Sequence, residues 1–335
     1  MKPVLTPDIV VAGAGIIGLT LALELRRRGA AVAVLDTAAA TAGASTAAAG
    51  MLAAEDPHNP AELRDLSLFS LSLYDDFLDR LAALSGLPVP YQTTSTFQYL
   101  GNGAIVRFAE KSVDPRQLAA AALQAVRAEG IRLIEHTGAL EISEHPGGIS
   151  IHPQQAPAVE TPRLIHASGA WFSGQSSGRP AITPRKGQML RVRIPAALDL
   201  HDVHRSESVY VVPRTQGPQA GTALIGATEE DAGFDTHTSQ ADLDQLRHRA
   251  AALLPALGDS AAAPQVEAWA GLRPATADGL PLIGPLPRAN HQWLAAGHYR
   301  NGILLAPATA VALADLLENK TPTVNLSRFH PARLM

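Results

Sequence analysis

Asp8-Ile-Val-Val-Ala-Gly-Ala-Gly-Ile-Ile-Gly-Leu-Thr-Leu-Ala-Leu-Glu-Leu-Arg26 reads as a buried strand, a tight glycine turn and a helix, and Ala31-Val-Ala-Val-Leu-Asp36 follows as a second buried strand ending in an acid. The three glycines have separate tasks: Gly13 permits the turn, Gly15 lets a diphosphate approach the backbone, and Gly18 lets the helix pack on the strand. The free N–H groups and partial positive charge of the helix start suit a diphosphate. Asp36 is placed to accept hydrogen bonds from a ribose hydroxyl, and its charge repels a 2′-phosphate, which disfavours NADP. Strand, turn, helix, strand and terminal acid in this order predict a dinucleotide site on an α/β scaffold. From these residues alone FAD and NAD both stand open.

Composition narrows the rest. The 335 residues are 46% hydrophobic and 17% charged, which is ordinary for a globular chain, and the net charge of −4 gives no basic footprint, so nucleic acid is not an expected partner. The absence of cysteine excludes disulfides, thiolate catalysis, cysteine-ligated metal centres and a cysteinyl-tethered flavin; no metal site is expected. The apolar run from Ile9 to Leu25 follows Asp8, is broken by glycines and has only Lys2 as a basic flank, unlike a secretory signal. No other stretch is long enough to span a membrane, and a cytoplasmic protein with no membrane partner is the expectation.

Further along, Thr37 to Gly50 is a run of small residues able to lie against a flat group. Pro60 to Leu84 has leucines at helical spacing, and Pro88 to Glu110 alternates as strands of a second sheet. Asp114-Pro115 read as a helix cap and first turn, with Gly130 as the stop. Short strands are expected at Ile131 to Glu135, Ala139 to Ser143 and Ile149 to His152, and Arg163 to Gly169 is expected to return to the first sheet. Gln188 to Val192, Ser208 to Pro213, Ala223 to Gly226, Trp269 to Arg273 and Trp293 to Gly297 also read as strands. Ser239 to Leu254 reads as a capped helix, and a last helix runs from about Ile303 to Leu317. Trp269 and Trp293 read as core. Gly174-Gln-Ser-Ser-Gly178 matches a nucleophile elbow, but Pro180 and Pro184 stand where that motif needs a helix. The sequon Asn325-Leu-Ser327 is uninformative.

Longer motifs are more specific: Thr46-Ala-Ala-Ala-Gly-Met-Leu52, Tyr210-Val-Val-Pro-Arg214, Gly226-Ala-Thr228, Trp269-Ala-Gly-Leu-Arg-Pro274, Asp278-Gly-Leu-Pro-Leu-Ile-Gly284 and Ala295-Ala-Gly-His-Tyr-Arg-Asn-Gly-Ile-Leu-Leu-Ala-Pro307. Through them the chain resembles the D-amino-acid oxidase family of flavoproteins, and within it the glycine oxidases of thiamine biosynthesis. The resemblance implies non-covalently bound FAD and an FAD-binding Rossmann-like domain of the glutathione reductase type with an inserted strand-rich substrate domain. The expected division is 1–85, 112–180 and 275–335 for the FAD-binding domain and 86–111 with 181–274 for the substrate domain. It further implies Ile16 and Ile17 at the pyrophosphate, Asp36 and Thr37 at the ribose, and Ala44, Ser45, Ala49, Gly50 and Met51 along the flavin. Ala139 would touch the adenine side, and His298, Tyr299, Arg300, Asn301, Gly302, Ile303 and Leu304 would wrap the isoalloxazine, with the helix beginning at Asn301-Gly302 facing the reduced flavin's charge. Arg273 would pair with a substrate carboxylate, assisted by Tyr210, with Arg300 near the flavin and Met51 and Glu229 completing the substrate site. A guanidinium fork fixes a carboxylate through two parallel hydrogen bonds, so one arginine sets both position and orientation of an amino acid.

The chain departs from that pattern in three places: it is short between Tyr91 and Asp114, Glu229 replaces an apolar residue, and Ser208 replaces a histidine. The leading expectation is oxidation of glycine or another small amino acid or amine by hydride transfer to flavin N5, with O2 reduced to H2O2, linked to thiazole formation. The resemblance also implies a homo-oligomer. The alternatives are a dehydrogenase passing electrons to another acceptor and a flavin-binding protein that has lost turnover.

Overall fold

Short apolar strands bracketed by small-residue turns cannot bury both faces alone, and the chain answers by building two sheets that share the segment between them. A computed structural model describes residues 5–172 and 181–334; the serine motif at 174–178 lies outside the described residues. The first part runs β1 (Ile9–Ala12), α1 (Ile16–Arg27), β2 (Val32–Leu35), a single turn α2 (Ala44–Ala47) and the long α3 (Arg64–Ser85). Next come β3 (Tyr91–Thr93), β4 (Thr96–Tyr99), β5 (Ile105–Phe108), β6 (Ser112–Val113), α4 (Pro115–Ala128), β7 (Arg132–Ile134), β8 (Leu140–His145), β9 (Gly148–Pro153), β10 (Val159–Thr161) and β11 (Leu164–His166). The remainder comprises β12 (Thr183–Arg193), β13 (Val203–Arg205), β14 (Tyr210–Arg214), β15 (Thr222–Gly226), α5 (Gln240–Leu253), β16 (Gln265–Ala275), β17 (Leu282–Pro285), β18 (Gln292–Ala296) and α6 (Gly302–Leu317).

The first sheet has the order β17-β18-β11-β1-β2-β7. It is parallel from β18 to β7 and ends in the antiparallel β17, so its centre is buried on both faces and reads as continuous apolar runs. Its core joins α1, α3, α4 and α6. The second sheet has the order β16-β12-β15-β14-β13-β4-β5. One of its faces packs Leu190, Val192, Val211 and Ile225 on Leu243, Leu246 and Ala250 of α5. β3 pairs with β6 in a ribbon of its own instead of joining that sheet.

The helix signals have physical counterparts. Asp114 Oδ1 accepts from Arg116 N–H at 2.9 Å with Pro115 in the first turn of α4. Ser239 precedes α5, but its side chain makes no cap: its N–H donates to Gln188 Oε1 instead, so the expected serine cap is corrected to a backbone anchor.

Helix α6 contains Pro307, which lacks the N–H that would bond the carbonyl four residues back. That carbonyl, Ile303 O, accepts from the Tyr74 hydroxyl at 2.6 Å, and Leu304 O accepts from Ser70 Oγ at 2.6 Å. Helix α3 thereby completes the first turns of α6. At the far end of the same helices, buried Glu24 accepts from Arg27, Arg28 and Arg80, and Arg28 continues to Asp315 and Glu318.

Tyr74→Phe is expected to cost about 1–3 kcal/mol in urea unfolding, because it leaves Ile303 O buried without its donor. Burial alone would raise the Glu24 carboxyl, but its hydrogen bonds to Arg27, Arg28 and Arg80 outweigh that and hold it at about 2 against an ordinary 4.5. A lowered carboxyl stabilises the fold above its ordinary range, so stability should fall as pH drops from 4.5 toward 2. Glu24→Gln should flatten that part of a melting-temperature profile.

Candidate active site

A cavity of ≈ 430 Å³ runs from the glycine turn after β1 to the near face of the second sheet. At its first end the backbone approach is as close as the glycines allow. A side chain on Gly18 would meet Gly13 O at 1.9 Å, and one on Gly13, whose φ is +119°, would meet Ala167 O at 2.4 Å. No side chain caps α1 at Gly15, while Ser45 Oγ accepts from Ile16 N–H at 2.9 Å. This is a cradle for a diphosphate built from helix-start amides. Asp36 accepts from Ala14 N–H through one oxygen and Ala38 N–H through the other, at 2.7 and 2.9 Å. Each oxygen keeps a lone pair for a ribose hydroxyl.

At the other end, strand register puts the site on one face of the second sheet. Tyr210 pairs with Gly226, Gly226 with Met189, and Met189 with Trp269, a single row across four strands. A side chain on Gly226 would meet the Tyr210 hydroxyl at 2.6 Å, so the ring lies over the glycine and its hydroxyl donates to Met189 Sδ at 3.2 Å. Four residues along β16 from Trp269, past Gly271, stands Arg273. Its guanidinium occupies the space that a Gly187 side chain would take, with both amino nitrogens 2.3 Å from that position. Nη1 donates to Thr228 O at 3.1 Å and Lys186 O at 3.4 Å. Those carbonyls hold one edge of the fork, and the guanidinium also hydrogen-bonds the Tyr210 hydroxyl.

Burial raises the Tyr210 phenol, and Arg273 and Arg300 pull it partly back. Tyr299 is pushed up to about 12, first by burial and then by its hydrogen bond to Glu229. It holds a left-handed backbone, φ +48°, with its N–H on Pro274 O, a conformation of the kind that persists where the surroundings over-determine it. Arg300 Nη2 lies 3.5 Å from the buried Asp56 carboxylate, itself 3.8 Å from Arg205. His298 is buried with Nε2 on Thr309 Oγ1, and burial drives its imidazole down to about 3, so it is neutral.

Of the residues expected from the sequence, Gly13, Gly15, Ile16, Ile17, Asp36, Thr37, Ala44, Ser45, Ala49, Gly50, Met51, Tyr210, Arg273, His298, Tyr299, Arg300, Gly302 and Ile303 line this one cavity. Gly18 lies behind the wall, as a packing glycine does. Ala139 is off the wall, its N–H turned to Gln154 Oε1 at 3.3 Å, and Leu140 lines the cavity in its place. Asn301 precedes α6 with its amide on Asn59 Oδ1, and Leu304 is buried in the core. Glu229 is exposed and reaches the site only through Tyr299. Trp269 packs half-buried against the core cluster of Ala49, Val203, Val212 and Leu224, as expected, and also meets the guanidiniums of Arg116 and Arg191, with Nε1–H donating to Ala47 O at 3.1 Å. Sequence reasoning missed Gly187, Met189 and Trp171 on the wall. Gly187 and Met189 face the site because β12 pairs with β16, and no local signal in β12 announces its partner.

Comparison with known proteins agrees with this geometry. The family profile described as DAO, FAD dependent oxidoreductase, matches residues 8–104 and 98–316. The chain is 34% identical over 374 residues to the bifunctional protein ThiO/ThiG of Trichormus variabilis, an alignment taking in 98% of this chain and 55% of that one; it thus spans about half the length of that relative. It is 31% identical over 372 residues to the glycine oxidase of Geobacillus kaustophilus, covering 97% of both chains. The crystal structure of glycine oxidase from Geobacillus kaustophilus superposes with a TM-score of 0.91 at 29% identity, covering 99% of this chain and 100% of that one. The 374-residue alignment is longer than the 335-residue chain, so the relative carries residues absent here. The two profile matches meet at 98–104, where β4 turns directly into β5.

Gly50 has φ +88°, and a side chain there would meet Val113 O at 2.0 Å and Pro115 Cδ at 2.8 Å. Gly50→Ala is therefore expected to cost about 2 kcal/mol or more in urea unfolding and to lower the ratio of flavin to protein absorbance in the purified chain.

Proposed function

The chain belongs to the FAD dependent oxidoreductase family, and on that premise we propose that it oxidises glycine or another small amino acid or amine to the imine, with O2 reduced to H2O2. The imine would feed thiazole formation in thiamine synthesis. Arg273 carries this reading. Its fork is held along one edge by two backbone carbonyls and hydrogen-bonds the Tyr210 hydroxyl, in the cavity that also holds the dinucleotide turn.

The residues present fit FAD. The glycine cradle at Gly13 and Gly18 takes the pyrophosphate on α1, Asp36 takes the adenosine ribose, and the small residues Ala44 to Gly50 leave room for a flat ring. The chemistry FAD supplies when bound is acceptance of a hydride at N5. Everything else is positioning. Arg273 clamps the carboxylate through parallel charge-assisted hydrogen bonds, which fixes where the α-carbon lies. Tyr210 stays protonated and its hydroxyl stays directed along the sheet by Met189. Arg300, steadied by Asp56, brings a second positive charge to the cavity. Neutral His298 serves as a wall of the site and takes no proton.

The test is peroxide formation by the purified holoprotein with glycine, sarcosine and small D- and L-amino acids, repeated with a dye acceptor under argon. Arg273→Ala should keep FAD and raise the apparent KM roughly 100-fold, the equivalent of losing a hydrogen-bonded ion pair of about 3 kcal/mol. Gly187→Ala, which crowds the same guanidinium, should move KM in the same direction. An unchanged KM in Arg273→Ala removes that residue from the substrate site.

A further inference from the structure

The face of the second sheet that carries Arg273, Met189 and Tyr210 continues along the same strands to a set of charges, of which Arg191, Arg214 and Asp114 are buried and Arg116 and Glu267 half-buried. Period-two alternation brings Arg191 after Met189, Arg214 after Val212, and Glu267 before Trp269 onto that face. Arg116 reaches it from the start of α4. Arg116 and Arg191 each lie 2.7 Å from Glu267 and stand against the Trp269 ring, at 4.8 and 5.4 Å from its centroid. Arg214 is 1% exposed, and its nearest carboxylate, Asp114, is 3.9 Å from Nε. Three arginines thus stand against two carboxylates.

These groups grip the segment that lines the cofactor cavity. Arg214 Nη2 donates to Ala49 O at 2.8 Å, Trp269 Nε1 to Ala47 O at 3.1 Å, and Arg116 Nε to Thr46 O at 3.5 Å. The carbonyls of 46, 47 and 49 are thereby turned away from the cavity, while Ala47, Ala48, Ala49, Gly50 and Met51 form its wall. Gly271 is bare opposite Ala47, where a side chain would come within 2.6 Å, so segment and sheet are in direct contact. Arg214 Nε and Nη1 have no hydrogen-bond partner, as is also true of Arg191 Nε. A buried guanidinium with two unpaired nitrogens, whose nearest carboxylate stands 3.9 Å away, is costly, and burial lowers Arg214 only to about 10, so it keeps its charge at neutral pH.

We infer that Arg214, with Arg116 and Arg191, is an electrostatic positioning group for the flavin: it anchors the 46–49 wall by its carbonyls and places an excess positive charge behind it. A fixed charge in a water-excluded site acts without reorganisation, and here it favours electron gain by the ring on the other side of that wall. The inference rests on FAD occupying this cavity.

Sulfite adds to oxidised flavin more tightly the more positive its surroundings, so the probe is sulfite, titrated by loss of flavin absorbance, together with the flavin midpoint potential and the FAD dissociation constant. Arg214→Met is expected to weaken sulfite affinity at least tenfold and lower the midpoint potential, with Arg214→Lys recovering most of both. Sulfite affinity and potential within twofold and experimental error of wild type in Arg214→Met would overturn the inference. If that variant does not fold or hold FAD, Arg116→Gln and Arg191→Met decide: each keeps the Arg214–Ala49 hydrogen bond, and each must weaken sulfite binding several-fold. Unchanged sulfite affinity in both would reduce the cluster to a structural anchor. A wild-type chain that binds no FAD would instead sink the functional reading itself.

Discussion

Close approach to bare backbone, with no Cβ in the way, is the constraint on which this structure depends. Helix α1 can meet β1 only because Gly18 leaves room for Gly13 O. The same device recurs at each wall of the cavity. Gly50 admits the start of α4, Gly271 admits Ala47, Gly187 admits the Arg273 guanidinium and Gly226 admits the Tyr210 ring. A flat cofactor with a diphosphate needs walls this thin, and a methyl group at any of these positions would displace an element or a functional side chain.

The two sheets meet along the segment from Ala44 to Met51, which explains the economy of the site. One side of that segment lines the cavity, and its carbonyls face the second sheet. Position of the wall and position of Arg273 are therefore set by one surface. Helix α6 is tied in separately, by Tyr74 of α3 satisfying the carbonyl that Pro307 frees and by Ser70 donating to Leu304 O. The cavity is thus braced from the sheet by charges and from the helices by hydroxyls.

The fold was legible where the determinants are local. The strand, glycine turn and helix from Ile9 to Arg27, the Asp114-Pro115 helix start and the apolar α6 each announce themselves within a few residues. Gly13, Gly15, Gly50, Gly302 and Arg273, all on the cavity wall, were legible through motif order. What escaped depends on pairing across the chain. Gly187 and Met189 enter the site through the β12–β16 and β12–β15 registers, and Trp269 meets Arg191 and Arg116, which reach it from two other elements. Leu140 replaces Ala139 by a one-residue offset at a strand start, the scale at which side chains change face. Glu229 was visible as a departure, but only the structure shows that Tyr299 stands between it and the cavity's charged groups.

The most direct test of the central claim is anaerobic: the oxidised-flavin absorbance of holoprotein mixed with glycine, sarcosine and a panel of D- and L-amino acids. Bleaching by glycine or another small amino acid or amine is the predicted result, and the rates across the panel would name the substrate class. A chain that holds FAD firmly while no member of the panel bleaches it would contradict an amino acid oxidase and leave a flavin-binding protein without this chemistry.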